Sequence, residues 1–168
     1  MRTIAFAALA AAVAVAGCAS RQTPTESTAP VETQTPPSQE QTGPVPGSVE
    51  DFRVSVGDRV FFPLDRSDLS PEARAILDRQ AAWLRRYPNV RVLVAGNCDE
   101  RGTREYNLAL GARRAAAARD YLVSLGIQSS RIETVSYGKE RPLDPRSTEE
   151  AWAVNRNAHT QIVSGAVS

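Results

Sequence analysis

The spacing of apolar residues predicts an alternation of strands and helices in the C-terminal two thirds of the chain. Val90, Val92 and Val94 stand at every second position, which is typical of a strand with one buried face, here ending near Gly96. The same reasoning predicts further strands over residues 60–64, 131–137 and 158–163. Pro63 lacks a backbone donor and therefore places the first strand at an edge of the sheet or close to its own end.

Helical spacing separates these strands. Ser70 followed by Pro71 is a favourable helix start, and apolar residues recur at helical spacing until Pro88. A long helix is predicted from about residue 103 to 125 with Gly126 as its C-cap, and a capping box at 147–150 begins a short one. The order of elements is βαβαβ with an additional αβ. The sequence therefore predicts an α+β sandwich with helices packed on one side of a mixed sheet.

The first 17 residues have the character of a signal peptide. The apolar run over residues 4–16 has too few residues to cross a hydrocarbon core, which needs about 20 as helix. Val15-Ala16-Gly17 stands directly before Cys18 and resembles a bacterial lipobox, which implies that Cys18 is lipidated and becomes the mature N-terminus. The residue after the cysteine is Ala19 rather than Asp, and by the sorting rule of lipoproteins this indicates the outer membrane. The alternative is an ordinary cleavage site with a chance cysteine.

Composition then separates a tether from a domain. Residues 18–50 begin at the lipidated cysteine and are rich in Pro, Thr, Gln, Ser and Glu, so we expect a disordered linker. The predicted domain, residues 51–168, carries 18 Lys and Arg against 15 Asp and Glu. A net charge of +1 for the whole chain argues against nucleic acid as a partner. With Cys18 lipidated, Cys98 has no partner for an intrachain disulfide.

The stretch over residues 96–115 carries the candidate chemistry. It begins where a strand ends and runs into a helix start, where free N–H groups favour a carboxylate. Asp99 adds a negative charge, and Arg114, which shares a helix face with Asn107, offers a planar fork for a second carboxylate. A ligand with an ammonium and carboxylates would suit this set. Spacing alone leaves open the alternative that Asp99 caps the helix and Arg114 forms a surface or core salt bridge.

Catalysis and metal binding are disfavoured by the same residues. A Cys–His hydrolase needs the base within hydrogen-bond reach of the thiol, and no spacing brings His159 near Cys98. Cys98 also shares the strand parity of the buried valines, which favours a small buried thiol. One histidine and one free cysteine are too few for a typical zinc site. We therefore expect no enzyme, no cofactor and no metal.

A resemblance to a known family sharpens the hypothesis. The run over residues 96–122 is similar to the peptidoglycan-binding motif of OmpA-like C-terminal domains, and the segments at 136–142 and 148–152 narrow the resemblance further. The motif positions are Asn107, Leu110, Gly111, Arg114, Ala115 and Leu122. The resemblance implies an OmpA-like fold for residues 51–168 and noncovalent recognition of meso-diaminopimelate in the stem peptide of the cell wall. Asp99 is then expected to pair with the ammonium of diaminopimelate and Arg114 with its carboxylate. Further ligand contacts are implied for Asp65, Glu100, Arg101, Gly102, Thr103, Tyr106 and Asn107.

With the lipobox and the linker, the resemblance also implies a cellular role. The expected protein is an outer-membrane lipoprotein, facing the periplasm, that tethers the membrane to peptidoglycan within the Tol system of envelope integrity and cell division. Its expected partners are peptidoglycan, the periplasmic propeller protein TolB, other Tol proteins and, through the lipid, the outer membrane. The alternative is a protein-docking lipoprotein without wall contact. The sequence departs from the family pattern at Leu64, Asn97, Cys98 and Asn157.

Overall fold

A computed structural model describes residues 43–168 of the chain. The predicted signal peptide, Cys18 and most of the predicted linker lie outside the described residues. The strands are β1 (Arg59–Phe61), β2 (Arg91–Asn97), β3 (Ile132–Gly138) and β4 (Asn157–Ser164). The helices are α1 (Val49–Asp51), α2 (Pro71–Arg86), α3 (Arg104–Ser124) and α4 (Glu149–Asn155), with a π-helical turn at Phe52–Val56 and a 3-10 turn at Ser129–Arg131. The predicted α+β class is confirmed.

The four strands form one mixed sheet in the order β1-β4-β2-β3. β2 and β3 are parallel, whereas β4 runs antiparallel to both β1 and β2. β1 lies at an edge, as Pro63 predicts, and ends two residues before that proline. The core contains Val92 and Val94 of β2 together with Leu84 of α2 and Leu122 of α3. The two long helices therefore pack on the sheet.

The helix boundaries follow from capping residues. The Ser70 hydroxyl accepts a hydrogen bond from the Ala73 N–H at the start of α2, and the Thr103 hydroxyl accepts one from the Tyr106 N–H at the start of α3. The C-cap of α3 is Leu125 rather than the predicted Gly126. Gly126 follows in the left-handed region, with φ 91°, where a side chain would be strained. The prediction was thus one residue too late.

The N-terminal helix and π-turn are an element that the spacing of apolar residues did not predict. Phe52 and Val56 are buried, and the Phe52 ring lies 4.9 Å from the Trp83 ring. The Asp51 carboxylate accepts hydrogen bonds of 2.8 Å from the Trp83 indole and from the Gly47 N–H. The folded part of the chain thus begins before residue 51, where the sequence placed the domain start.

Glycines let α3 approach the sheet closely at one end. A Cβ at Gly96 in β2 would overlap the backbone carbonyl of Gly111 in α3. The Ser136 hydroxyl of β3 donates 2.7 Å to the carbonyl of Leu108 in α3. These contacts fix the first half of α3 over the C-terminal ends of β2 and β3. The loop that carries Asp99 leaves the sheet at this place.

Candidate ligand-binding site

A narrow cleft lies at the C-terminal end of β2, between the β1–α2 loop, α3 and the start of β4. About 150 Å³ of space lies between its walls, partly open to solvent, and no part of it is wide enough for a water molecule. Its lining consists of Leu64, Asp65, Cys98, Asp99, Asn107, Leu110, Arg114 and Arg156. Two carboxylates and two guanidinium groups thus face one small space.

Arg114 is fully buried at the floor of this cleft. Its guanidinium donates to three backbone carbonyls, from Nε to Arg66 at 2.8 Å, from Nη1 to Asn97 at 2.9 Å and from Nη2 to Pro63 at 3.0 Å. Burial lowers the pKa of the guanidinium from its usual high value. Three of its five N–H donors are thus used, and the two that remain are on Nη1 and Nη2.

Asp99 is nearly buried and is held by two arginines. Arg101 donates to it from Nε (3.3 Å), Nη2 (2.7 Å) and the backbone N–H (3.1 Å), and Arg156 donates from Nη1 at 3.3 Å. Burial disfavours the charged carboxylate, but these hydrogen bonds outweigh it and hold the pKa of Asp99 below its usual value. Asp99 therefore stays ionised at neutral pH.

The alternative reading of these two residues is wrong in both parts. The residue that caps α3 is Thr103, not Asp99. Among the ion pairs within residues 43–168, none includes Arg114. Arg114 instead ties the β1–α2 loop to the end of β2 through carbonyl groups, so it shapes the cleft as well as lining it.

Arg156 completes the site, although sequence reasoning did not assign it a role. Its Nε donates to the Phe62 carbonyl at 3.1 Å, and its Nη2 donates to Glu149 at 3.1 Å. Together with the bond to Asp99, these contacts fix the guanidinium between β1, α4 and the loop. The signal in the sequence that indicates such a role is the position of Arg156 directly before the last strand.

The loop over residues 99–103 is pinned by side chains from its surroundings. The Asn107 amide donates to the carbonyls of Arg101 (2.7 Å) and Thr103 (3.1 Å). The Lys139 ammonium donates to the carbonyls of Glu100 (3.0 Å) and Gly102 (2.7 Å). Gly102 adopts φ 88°, which favours glycine at this turn. Buried Asn107 therefore holds the loop in place as well as lining the cleft.

The remaining predicted ligand residues lie around the mouth of the cleft. Glu100, Gly102, Thr103 and Tyr106 are exposed, and Arg101 is half-buried. Asp65 has a φ of 55°, an uncommon value for a residue other than glycine, and is exposed on the opposite wall. The structure thus brings Asp65, Asp99, Asn107 and Arg114 together in the cleft, with the other five beside it.

Trp152 forms part of the rim next to this loop. Its indole N–H donates to the Glu100 carboxylate at 3.0 Å, and the guanidinium of Arg101 lies 4.1 Å from the centre of its ring. The stacking places the guanidinium of Arg101 over an aromatic face.

Cys98 and His159 have separate sets of hydrogen-bond partners. The Cys98 thiol is buried and donates to the Asn107 carbonyl at 3.3 Å, and burial raises its pKa, which disfavours the reactive thiolate. The hydrogen-bond partners of the His159 ring are Asp58, Arg59 and Gln161. Across residues 43–168 there is no group of three metal-ligating side chains and no helix both long and apolar enough to cross a membrane.

The comparison with protein families decides the family membership. Residues 61–156 match the OmpA family, and this range includes Asp65, Asp99, Arg114 and Arg156. The chain belongs to the OmpA family. The family match ends at the arginine that pairs with Asp99, so all four charged residues of the cleft belong to the OmpA-like domain.

Relatives place the chain more narrowly within the family. It is 49% identical to the peptidoglycan-associated lipoprotein of Mesorhizobium japonicum over 96% of this chain and 92% of that protein. It is 47% identical to the protein of the same name from Agrobacterium fabrum over 98% of this chain and 90% of the other. The recognised resemblance is thus confirmed, and the chain is one of the peptidoglycan-associated lipoproteins of the OmpA family.

Solved structures agree with this placement. The chain is 41% identical to the crystal structure of the peptidoglycan-associated lipoprotein from Burkholderia pseudomallei and superimposes on it with a TM-score of 0.61. The match covers 62% of this chain and 89% of the other. The C-terminal domain of Helicobacter pylori MotB shares the fold, with 20% identity and a TM-score of 0.60. This match covers 64% of this chain and 84% of the other. The OmpA-like fold is therefore confirmed.

Proposed function

We propose that this protein binds peptidoglycan noncovalently through meso-diaminopimelate and so tethers the outer membrane to the cell wall. The observation that carries the proposal is the placement of two carboxylates and two guanidinium groups around one narrow cleft. The names of the relatives, peptidoglycan-associated lipoproteins, agree with it. A ligand with both charge signs matches this cleft better than an anion or a cation alone.

In the proposed complex, the side-chain ammonium of diaminopimelate pairs with Asp99. Because the cleft is too narrow for a water molecule, its side chains must move apart before the carboxylate of diaminopimelate reaches the two remaining N–H groups of Arg114. These two groups are on Nη1 and Nη2, which also donate to the Asn97 and Pro63 carbonyls. Both protein groups are nearly or fully buried, so each ion pair forms in a region of low dielectric. The fit therefore requires both charges on the same ligand.

The residues around the cleft supply the outer contacts. We assign this role to Asp65 on one wall and, on the other, to Glu100, the backbone of Arg101, Gly102, Thr103, Tyr106 and Asn107. The pinning of the loop by Lys139 and Asn107 holds its backbone in place before a ligand arrives. Preorganised backbone lowers the entropy cost of binding.

The N-terminal part of the proposal concerns anchoring. Residues 1–17 act as a lipoprotein signal, Cys18 carries the lipid, and the Pro-rich linker that follows lets the domain reach the wall from the outer membrane. Two or more acyl chains make such anchoring stable. Since the folded part includes Gly47 and Val49, the linker is shorter than residues 18–50. A role in the Tol system, with TolB as a partner, completes the proposed function.

Direct titration with free meso-diaminopimelate tests the site. We expect saturable binding by calorimetry for the wild-type chain and at least a tenfold loss for Asp99→Asn, which keeps the shape of the side chain but removes its charge. Asp78→Asn, a substitution at an exposed carboxylate on α2, is the matched control and should bind as the wild type does. Equal binding by wild type and Asp99→Asn would contradict the site assignment.

A further inference from the structure

Arg101 covers the one carboxylate that the proposed ligand needs. Its Nε and Nη2 bond both oxygens of Asp99, and its side chain is 34% exposed whereas that of Asp99 is 5% exposed. Arg156 holds the same carboxylate from the buried side, with a side chain 9% exposed. The solvent-facing position on Asp99 is therefore taken by a side chain of the protein itself.

The Arg101 side chain is able to move although its backbone is held. The Arg101 carbonyl accepts from the Asn107 amide, and the flanking carbonyls of Glu100 and Gly102 accept from Lys139. None of these bonds involves the guanidinium. Rotation about the side-chain bonds therefore removes the guanidinium from Asp99 without any change in the loop, and the Arg101 backbone N–H keeps its bond to Oδ1.

The guanidinium of Arg101 also contacts two groups besides Asp99. Its Nη1 lies 3.7 Å from Oε2 of Glu149, a carboxylate that is 62% exposed, and its carbon lies 4.1 Å from the centre of the Trp152 ring. Contacts with an exposed carboxylate and an aromatic face stabilise an arginine weakly. Neither contact depends on Asp99, so both groups remain available to the guanidinium when it leaves that carboxylate.

Charge decides that the guanidinium must leave. Asp99 carries one negative charge and already faces two cations, Arg101 and Arg156. A ligand ammonium added to this pair would place three cations around one nearly buried carboxylate, where like charges repel strongly. The ammonium and Arg101 therefore compete for the same position.

We infer that Arg101 makes an autoinhibitory contact: it occupies Asp99 in the free protein and yields it only to a ligand that brings its own ammonium. This inference rests on the proposed function. A dicarboxylate without an ammonium is able to approach Arg114, but it offers nothing to replace Arg101 on Asp99. Arg101 therefore lowers the affinity for ligands with an ammonium and leaves the affinity for simple dicarboxylates unchanged.

The test uses the full-length chain in detergent and two probes, meso-diaminopimelate and pimelate, which has the same carbon chain and carboxylates but no amines. For Arg101→Ala we expect diaminopimelate to bind about three- to tenfold more tightly, which corresponds to removal of one partly exposed ion-pair competitor. The affinity of this variant for pimelate should not rise. Arg101→Lys keeps a competing cation, so its affinity for diaminopimelate should stay close to that of the wild type.

Arg104→Ala is the matched control, because Arg104 lies three residues away, pairs with Glu140 and is 70% exposed. It removes the same charge without touching Asp99 and should change either affinity less than twofold. Weaker binding of diaminopimelate by Arg101→Ala would overturn the inference and make Arg101 a direct ligand contact. If Arg101→Ala loses affinity for both probes to the same extent, Arg101 has a merely structural role, and this result would also overturn the inference. Absence of diaminopimelate binding by every variant and by the wild type would contradict the proposed function itself.

Discussion

Nη1 of Arg156 lies 3.3 Å from Oδ2 of Asp99, and the two side chains are only 9% and 5% exposed. This ion pair joins the start of β4 to the loop after β2. Arg156 also satisfies the Phe62 carbonyl at the end of β1. One guanidinium thus connects three segments that are far apart in the sequence and sets the position of the carboxylate in the cleft.

Arg156→Ala is expected to destabilise the protein by about 3 kcal/mol, because it removes the buried one of the two cations on Asp99 and the donor to the Phe62 carbonyl. Urea denaturation measures this as a lower midpoint with an unchanged slope. Arg91→Ala is the control, since Arg91 and its partner Glu133 are both more than half exposed, and should cost less than 1 kcal/mol. Equal costs for the two variants would refute a supporting role for Arg156.

Arg114→Lys is expected to weaken both stability and ligand binding. A lysine ammonium cannot reach all three carbonyls of Pro63, Arg66 and Asn97 in the geometry of a planar fork, and each buried carbonyl left without a donor costs about 1–3 kcal/mol. Denaturation should show a loss of about 2 kcal/mol or more. The exposed neighbour gives the control, Arg113→Lys, for which a loss above 0.5 kcal/mol is not expected. Arg114→Lys with unchanged stability would contradict the assigned carbonyl bonds.

The N-terminal element is expected to contribute to the core. Phe52 is 2% exposed and packs against Trp83, so Phe52→Ala should cost about 3–5 kcal/mol in unfolding free energy. Val54 lies on the same turn but is 60% exposed, and Val54→Ala should stay within about 0.5 kcal/mol of the wild type. Similar midpoints for Phe52→Ala and the wild type would show that this element is not part of the folding unit.

Stability is expected to fall as pH drops from about 7 to 5 because of His159. Burial and the nearby Arg59 lower the pKa of this imidazole, and they outweigh Asp58, whose Oδ2 lies 3.0 Å from Nε2. The unfolded chain takes up the proton near pH 6.5 and the folded chain only at lower pH, so the unfolded state binds more protons between the two values. Denaturation midpoints across this range should decrease for the wild type and stay flatter for His159→Gln. An equally steep decrease of the midpoint in both proteins would show that a group other than His159 causes it.

Cys18→Ser is expected to abolish partitioning of the protein into the detergent phase, because the proposed lipid attaches through sulfur. Cys98→Ser, which changes the buried thiol instead, serves as the control and should partition as the wild type does. Detergent-phase partitioning by Cys18→Ser equal to that of the wild type would contradict lipidation at this residue.

The regular elements of the domain were predictable because their residues show local patterns. Ser70-Pro71 marks the start of α2 and the spaced valines mark β2, and both appear where expected. The π-turn was not predictable, because Phe52 and Val56 are isolated apolar residues after a Pro-rich stretch, and they are buried in a core built from distant residues, among them Trp83, which packs on Phe52. Local spacing carries no information about such a partner.

The candidate site was predictable only in part, for the same reason. The buried stripe of α3 includes two polar residues, Asn107 and Arg114, and polar residues at core positions are a signal that the sequence does contain. The partners of Asp99 were not predictable. Arg156 lies 57 residues away along the chain and meets Asp99 only because β4 inserts between β1 and β2. The actual bonds of Arg114 go to backbone carbonyls, which no residue pattern reveals.

Cosedimentation with isolated peptidoglycan tests the central claim most directly. The wild-type protein is mixed with sacculi that contain meso-diaminopimelate, and the bound fraction is measured with increasing free meso-diaminopimelate or, in parallel, pimelate. We predict that the protein sediments with the sacculi and that diaminopimelate releases it while pimelate at equal concentration does not. If the protein does not sediment with the sacculi, or if it stays bound to them at saturating diaminopimelate, it does not recognise the wall through diaminopimelate.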